Sequence, residues 1–275
     1  MAEPKCFGRF PDLDQLRDTT PSYFMGRGTK LMCKLGSVSV AGLTSENKPK
    51  LNQDYAVCKE TSSGYAAVIS DGAGSAIYGG IGSKCVSRTV IKALQKQHIL
   101  IDVGSFSELI FNAVEKSLKI LRRLSRLYRL DAQITAFSAT LVVAYQTGDK
   151  CFCAHLGDGA CMFFNDANEL IKISLPENGE YINETFFVSN KDWANNLRCF
   201  EFTENKTNCL VMSDGVTPFA LLNDAPFLEF TKPILNFLRT ATLDEATEAI
   251  TTMLTSQKAT GISSDDKSLA WWITC

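Results

Sequence analysis

The chain has 275 residues, 45% of them hydrophobic and 21% charged, with 28 Lys and Arg against 30 Asp and Glu and a formal net charge of −2. That length and apolar content suit one large globular domain, and the near-neutral balance argues against nucleic acid or an anionic membrane as partner. No apolar run approaches the ~20 residues that span a bilayer, and the opening MAEPKCFGRF has no basic-then-apolar leader pattern, so a cytoplasmic location is expected.

Residues 1–33 contain Pro4, Pro11 and Pro21 and little periodicity, and read as an N-terminal extension to a single domain over 34–275. Alternation over 36–42 and apolar runs at 55–58 and 64–70 predict strands, the last two joined by a turn at Ser62-Ser63-Gly64. Helical spacing follows over 80–97 and 106–130. The second of these helices carries Lys116, Lys119, Arg122, Arg123, Arg126 and Arg129, which read as a solvated face rather than a docking surface. Strand patterns resume at 137–146, 150–157, 160–164 and 169–174, then near 185–188, 198–203 and 208–213. Amphipathic helices around 226–239 and 243–256 precede a last strand at 268–274. Many strands with few crossover helices predict an α+β fold of two packed antiparallel sheets with helices outside.

The ten cysteines include no CxxC pair, and Cys151, Cys153 and Cys209 lie in strand-like runs. They are expected to be reduced thiols acting as small hydrophobes. With His98 and His155 the only histidines, a His-rich zinc site is disfavoured.

Aspartates recur where apolar runs begin or end. Asp54 opens one, Asp71, Asp158 and Asp214 follow others directly before Gly, and Asp265 and Asp266 precede the last. One Asp-Gly pair is an ordinary turn. Five such places suggest carboxylates gathered at one end of the sheets, where their repulsion calls for a cation. Oxygen-only donors select Mg²⁺ or Mn²⁺. Two such ions about 3.5–4 Å apart would clamp a phosphoryl group and activate a bridging water.

The ordered segments NQD (52–54), SDGAGS (70–75), SATLVVA (138–144), GDGA (157–160), SDG (213–215) and DDKS (265–268) resemble the type 2C, metal-dependent Ser/Thr protein phosphatases over residues 35–275. The likeness is greatest to the bacterial PphC-like branch, which shares a stretch matching Gly179, Glu180, Tyr181, Asn183, Thr185 and Phe187. The resemblance implies an α/β/β/α sandwich that hydrolyses phosphoserine and phosphothreonine with two Mn²⁺ or Mg²⁺ ions. Asp71 would bridge both ions; Asp54 and the Gly72 carbonyl would serve one, Asp214 and Asp265 the other. Asp158 would help hold a third, weaker ion, as in some members. Asp266 falls where many members have Asn, and Thr140 falls in the family's buried Gly-Thr-Thr strand.

The departures from the family pattern have chemical meaning. Gln53 replaces a frequent Glu, Ala73 a frequent eukaryotic His, and Pro218 an Asp of some third-ion sites. Lys50 stands near a usual phosphate-binding Arg and would attract phosphate as a point charge without the bidentate fork. Segment 176–196 reads as a flap in which Gly179, Glu180 and Tyr181 shape selectivity. Ser70 and Ser213 read as structural hydrogen bonders and His155 as a packed, hydrogen-bonded side chain. The expected partner is a phosphorylated protein within a Ser/Thr kinase pathway. Gln53 and the missing Arg also motivate an alternative, a weakly active or inactive phosphoprotein-binding module on the same fold.

Overall fold

A computed structural model describes residues 33–97, 102–128, 133–177 and 185–274. In chain order the first strands are β1 (Cys33–Val40), β2 (Tyr55–Glu60), β3 (Gly64–Ser70), β4 (Leu141–Thr147), β5 (Lys150–Leu156) and β6 (Ala160–Phe164). The rest are β7 (Leu170–Ser174), β8 (Arg198–Thr203), β9 (Asn208–Met212), β10 (Leu221–Leu222), β11 (Ala225–Pro226) and β12 (Lys267–Thr274). The helices are α1 (Gly79–Lys96), α2 (Val103–Leu127), α3 (Trp193–Asn196), α4 (Thr217–Ala220), α5 (Leu228–Thr240), α6 (Leu243–Thr255) and α7 (Gln257–Ile262). One five-stranded sheet has the order β1-β12-β9-β6-β7, the other β2-β3-β4-β5-β8, and β10-β11 form a small hairpin. Every pairing is antiparallel.

The apolar runs fill three layers. Along β3, Ala66 and Val68 face α1 and α2, while Tyr65, Ala67 and Ile69 face the other sheet. Along β12, Leu269, Trp271 and Ile273 pack beneath α5 and α6, while Ala270 and Trp272 point between the sheets. The period of two thus serves two cores from one strand. Central strands apolar on both faces cannot show clean polar alternation. Cys58, Cys151, Cys153, Cys161 and Cys209 lie in the inter-sheet layer, and all eight described cysteines are free, as expected of small buried hydrophobes. The result is the four-layer α/β/β/α sandwich expected from the sequence.

Some boundaries differ from the sequence pattern. α2 starts at Val103 because Asp102 caps it, accepting from the Ser105 N–H at 2.8 Å. The run at 137–146 is not one strand: residues 134–137 make a 3-10 turn, and β4 begins only at Leu141. Near 185–188 no named strand forms among the described residues. The short helices α3, α4 and α7 and the β10-β11 hairpin lack a periodic signal of useful length. Residues 1–32, Arg129 and the flap residues Gly179, Glu180 and Tyr181 lie outside the described residues.

Candidate metal centre

Strand register collects the acids. Tyr55 pairs with Ser70, so Asp54 and Asp71 stand opposite each other just beyond the end of the β2-β3 ladder. Met212 pairs with Leu269 and with Ala160, which brings Asp214, the β12 entry and the Asp158 turn to the same end of the first sheet. Carboxylate oxygens of Asp71, Asp158 and Asp214 all lie within 4.8 Å of one another. Asp71 is close enough to both Asp54 and Asp214 for each pair to share a proton.

The backbone around them is fixed. The Asp71 N–H donates to Thr140 Oγ1 at 3.0 Å, and the Thr140 N–H returns a bond to the Asp71 carbonyl at 2.8 Å. The Gly72 N–H donates to the Gln53 carbonyl at 3.1 Å. Gly72 also packs on the first residue of α1; a Cβ there would stand 2.3 Å from the Gly79 carbonyl carbon. Gly72 therefore occupies a position that only glycine fits.

Electrostatics mark the cluster as incomplete without a cation. Asp54 is 6% exposed, and no donor reaches either of its carboxylate oxygens, nor Asp158 Oδ1 or Asp214 Oδ1. Burial is the largest cause in each acid, and its effect pushes Asp54 up to about 6 and Asp214 to about 7, with the Asp158 charge adding to the latter. Asp71 lies well above the usual carboxylate range, from burial and then the charges of Asp54 and Asp214. Asp158 is also raised by burial, against a bond from Thr185 Oγ1 to its Oδ2 at 2.8 Å. Buried carboxylates without donors and repelling one another fit hard divalent cations.

Asp265 is placed differently from the other expected ligands. It stands at the rim, its side chain 57% exposed, with Lys50 Nζ 3.6 Å from its Oδ1. Its charge still raises Asp158 and Asp214. Asp266 is buried beside the cluster, and both of its carboxylate oxygens are taken by backbone donors, the Gly42 N–H at 2.6 Å and the Gln53 N–H at 2.7 Å, while its charge adds to the rise of Asp54. Gln53 donates through Nε2 to the Ala76 carbonyl at 2.9 Å, a bond that a carboxylate could not make. Pro218 lies in α4 and brings no carboxylate. Ser70 Oγ donates to the Thr140 carbonyl, and Ser213 Oγ accepts the Ser268 N–H at 2.9 Å, so both are structural. His155 is buried, with Nδ1 2.8 Å from Ser174 Oγ, and burial lowers it to about 3, so it is neutral and packed as expected.

Two contributors escaped sequence reading. Thr185 orients Asp158 from a distant segment, and buried Lys267 donates to the Asp265 carbonyl at 2.8 Å. Lys267 was within reach as an internal residue of DDKS; nothing in the sequence joined Thr185 to Asp158.

Residues 41–255 match the family model for protein phosphatase 2C. The chain belongs to that family. It is 27% identical over 209 residues to the Escherichia coli K12 protein named Serine/threonine-protein phosphatase 3, which covers 74% of this chain and 81% of that relative. Among solved structures, the catalytic domain of PstP, crystallised with two manganese ions, superposes with a TM-score of 0.63 at 13% identity, covering 89% of this chain and 99% of that one. Stp1 from Staphylococcus aureus gives 0.61 at 16% identity, covering 93% and 100%. At these identities the two structures bear on the fold, which they share.

Proposed function

We propose that this protein is a metal-dependent phosphatase acting on phosphoserine and phosphothreonine in proteins. The observation that carries the reading is the buried acid cluster with unpartnered oxygens in a member of the protein phosphatase 2C family. Asp54, Asp71, the Gly72 carbonyl, Asp214 and Asp265 would hold two Mn²⁺ or Mg²⁺ ions, with Asp158 serving a third, weaker one. When bound, such ions supply charge stabilisation for the phosphoryl oxygens and lower the pKa of bound water. The ester P–O bond breaks as a P–O bond to water forms; the attacking water gives up one proton to solvent and the leaving alkoxide takes one from solvent, so protons balance. Ala73 has no proton to give, and neutral, buried His155 is bonded to Ser174, so neither serves as the acid for the leaving group. Lys50, whose Nζ lies 3.6 Å from Asp265 Oδ1, would attract an incoming phosphate as a point charge.

The wider reading follows from that chemistry. Residues 34–275 form the catalytic domain behind an N-terminal extension, Gly179, Glu180 and Tyr181 belong to a substrate flap, and the protein opposes a Ser/Thr kinase. No helix among the described residues is long and apolar enough to cross a membrane, which agrees with a cytoplasmic location. The inactive-module alternative is not favoured: Gln53 has a structural partner of its own, and Asp71, Asp158 and Asp214 gather in one cluster.

The deciding experiment is para-nitrophenyl phosphate hydrolysis with Mn²⁺, with and without chelator, on wild type and Asp71→Ala. Turnover should require both the metal and Asp71. Turnover persisting in chelator, or in the folded variant, would remove the metal-dependent reading.

A further inference from the structure

α1 and α2 carry nine Lys and Arg against two Glu, in a chain whose formal net charge is −2. The positive charge is therefore concentrated on the helix layer over the second sheet. On α2, Lys116, Lys119, Arg122, Arg123 and Arg126 are all exposed. Spacings of three, four and seven residues place them along one side of the helix. Arg122 reaches Glu115 at 4.0 Å, whereas Lys116, Lys119, Arg123 and Arg126 have no ion-pair partner among the described residues. Beside them Ile120 is 39% and Leu127 75% exposed.

This face runs toward the acid cluster. α1 and α2 are antiparallel: Cys85 Sγ lies 3.9 Å from the Ser117 carbonyl oxygen, and Tyr78 stacks on Tyr128 at 5.2 Å. Tyr78 directly precedes Gly79, whose backbone packs on Gly72 at the metal centre. Arg122, Arg123 and Arg126 thus occupy the end of α2 nearest the site, and Lys116 and Lys119 recede from it. From Lys116 to Arg126 the helix rises about 15 Å, the length of roughly five extended residues.

We propose that this face docks an acidic, Asp- and Glu-rich segment of the phosphoprotein substrate, close in sequence to the phosphoresidue being hydrolysed. The inference rests on the phosphatase reading and adds a substrate class to it. Charge complementarity supplies the attraction, and the packing of the Tyr128 end of α2 on Tyr78, next to Gly79, favours a polypeptide that reaches both the cations and the metal centre. Exposed pairs are individually weak, so the effect comes from several acting together and is sensitive to salt.

The test uses two pairs of phosphothreonine peptides: the members of a pair differ only in whether five residues are Glu or Gln, placed N-terminal to the phosphothreonine in one pair and C-terminal in the other. Binding is read by fluorescence anisotropy and turnover by phosphate release, on the full chain with Mn²⁺, at low and high salt. The Glu peptide should bind and turn over with about five- to tenfold lower Kd and KM at low salt, from three or four exposed charge pairs. The difference should shrink at high salt and disappear in the Lys119→Glu, Arg123→Glu, Arg126→Glu variant, with circular dichroism establishing its fold. Equal binding of the Glu and Gln peptides, or a preference retained by the folded variant, would overturn the docking proposal. So would cosedimentation with phosphatidylserine vesicles without peptide discrimination, which would make the face a membrane surface. Failure to hydrolyse any peptide or para-nitrophenyl phosphate would instead sink the phosphatase reading, while the binding preference still decides the docking face.

Discussion

Asp71 has the most acute electrostatic position of any residue in the cluster, between Asp54 and Asp214 with its backbone locked to Thr140. Asp71→Asn should abolish para-nitrophenyl phosphate turnover, and in chelator it should raise the melting temperature, because one member of a repelling buried set has been neutralised. A variant that is both inactive and less stable without metal would contradict the second part. Asp266 has the opposite character. Asp266→Ala would strand two N–H groups that now share a buried carboxylate and should cost about 3 kcal/mol in denaturant unfolding, whereas Asp266→Asn should recover part of that. Thr185→Val should leave turnover near normal at saturating Mn²⁺ but weaken the Asp158-dependent ion about tenfold, measured by titration calorimetry, since it removes the bond that aims that carboxylate. At this scale the acids were legible because each breaks an apolar run. The exposed setting of Asp265, the capture of Asp266 by two backbone N–H groups and the reach of Thr185 were not, because each depends on a segment far away in sequence.

Elements place those residues. α1 must lie close against the 134–137 turn for Gly79 to meet Gly72, and Gly82 permits it: a Cβ there would sit 2.1 Å from the Phe137 carbonyl oxygen. Gly82→Ala should therefore push α1 from the turn, cost at least about 2 kcal/mol and lower activity through Gly72, both visible in one unfolding and assay series. α2 is held by its capping box at Asp102 rather than by contact with the site. Asp102→Ala should cost about 1 kcal/mol and leave turnover untouched. Strands and long helices were legible from period and length. The short helices and the 3-10 turn were not, since local pattern needs two or more turns to rise above loop composition.

The whole molecule carries a pH signature. Asp54 and Asp214, at about 6 and about 7 when folded without metal, start from 3.8. Between about 4 and 7 the folded state therefore binds more protons than the unfolded one, and metal-free stability falls as pH rises through that window. His155 has the opposite sign: at about 3 folded and 6.5 ordinarily, it adds stability as pH rises toward 6.5. Its contribution is the same with and without metal, so the difference between Mn²⁺-loaded and chelated protein isolates the acids. That difference in melting temperature should widen steadily from pH 5 to 7.5; a constant gap would mean that the cluster does not titrate.

The individual ligand roles came from the family resemblance, whereas length, apolar periodicity and the places where Asp interrupts it were sufficient to anticipate the two packed sheets, the free cysteines and a gathering of carboxylates at one sheet end. These follow from local pattern, in which a strand's alternation fixes its faces and its end fixes its acid. Only the tertiary structure decided which acids are buried together and which stands at the rim, that Gln53 serves a loop carbonyl, and that the C-terminal end of α2 lies beside the start of α1. Those outcomes depend on register between distant strands and on the antiparallel packing of two helices, where the deciding contacts join residues that no sequence window contains.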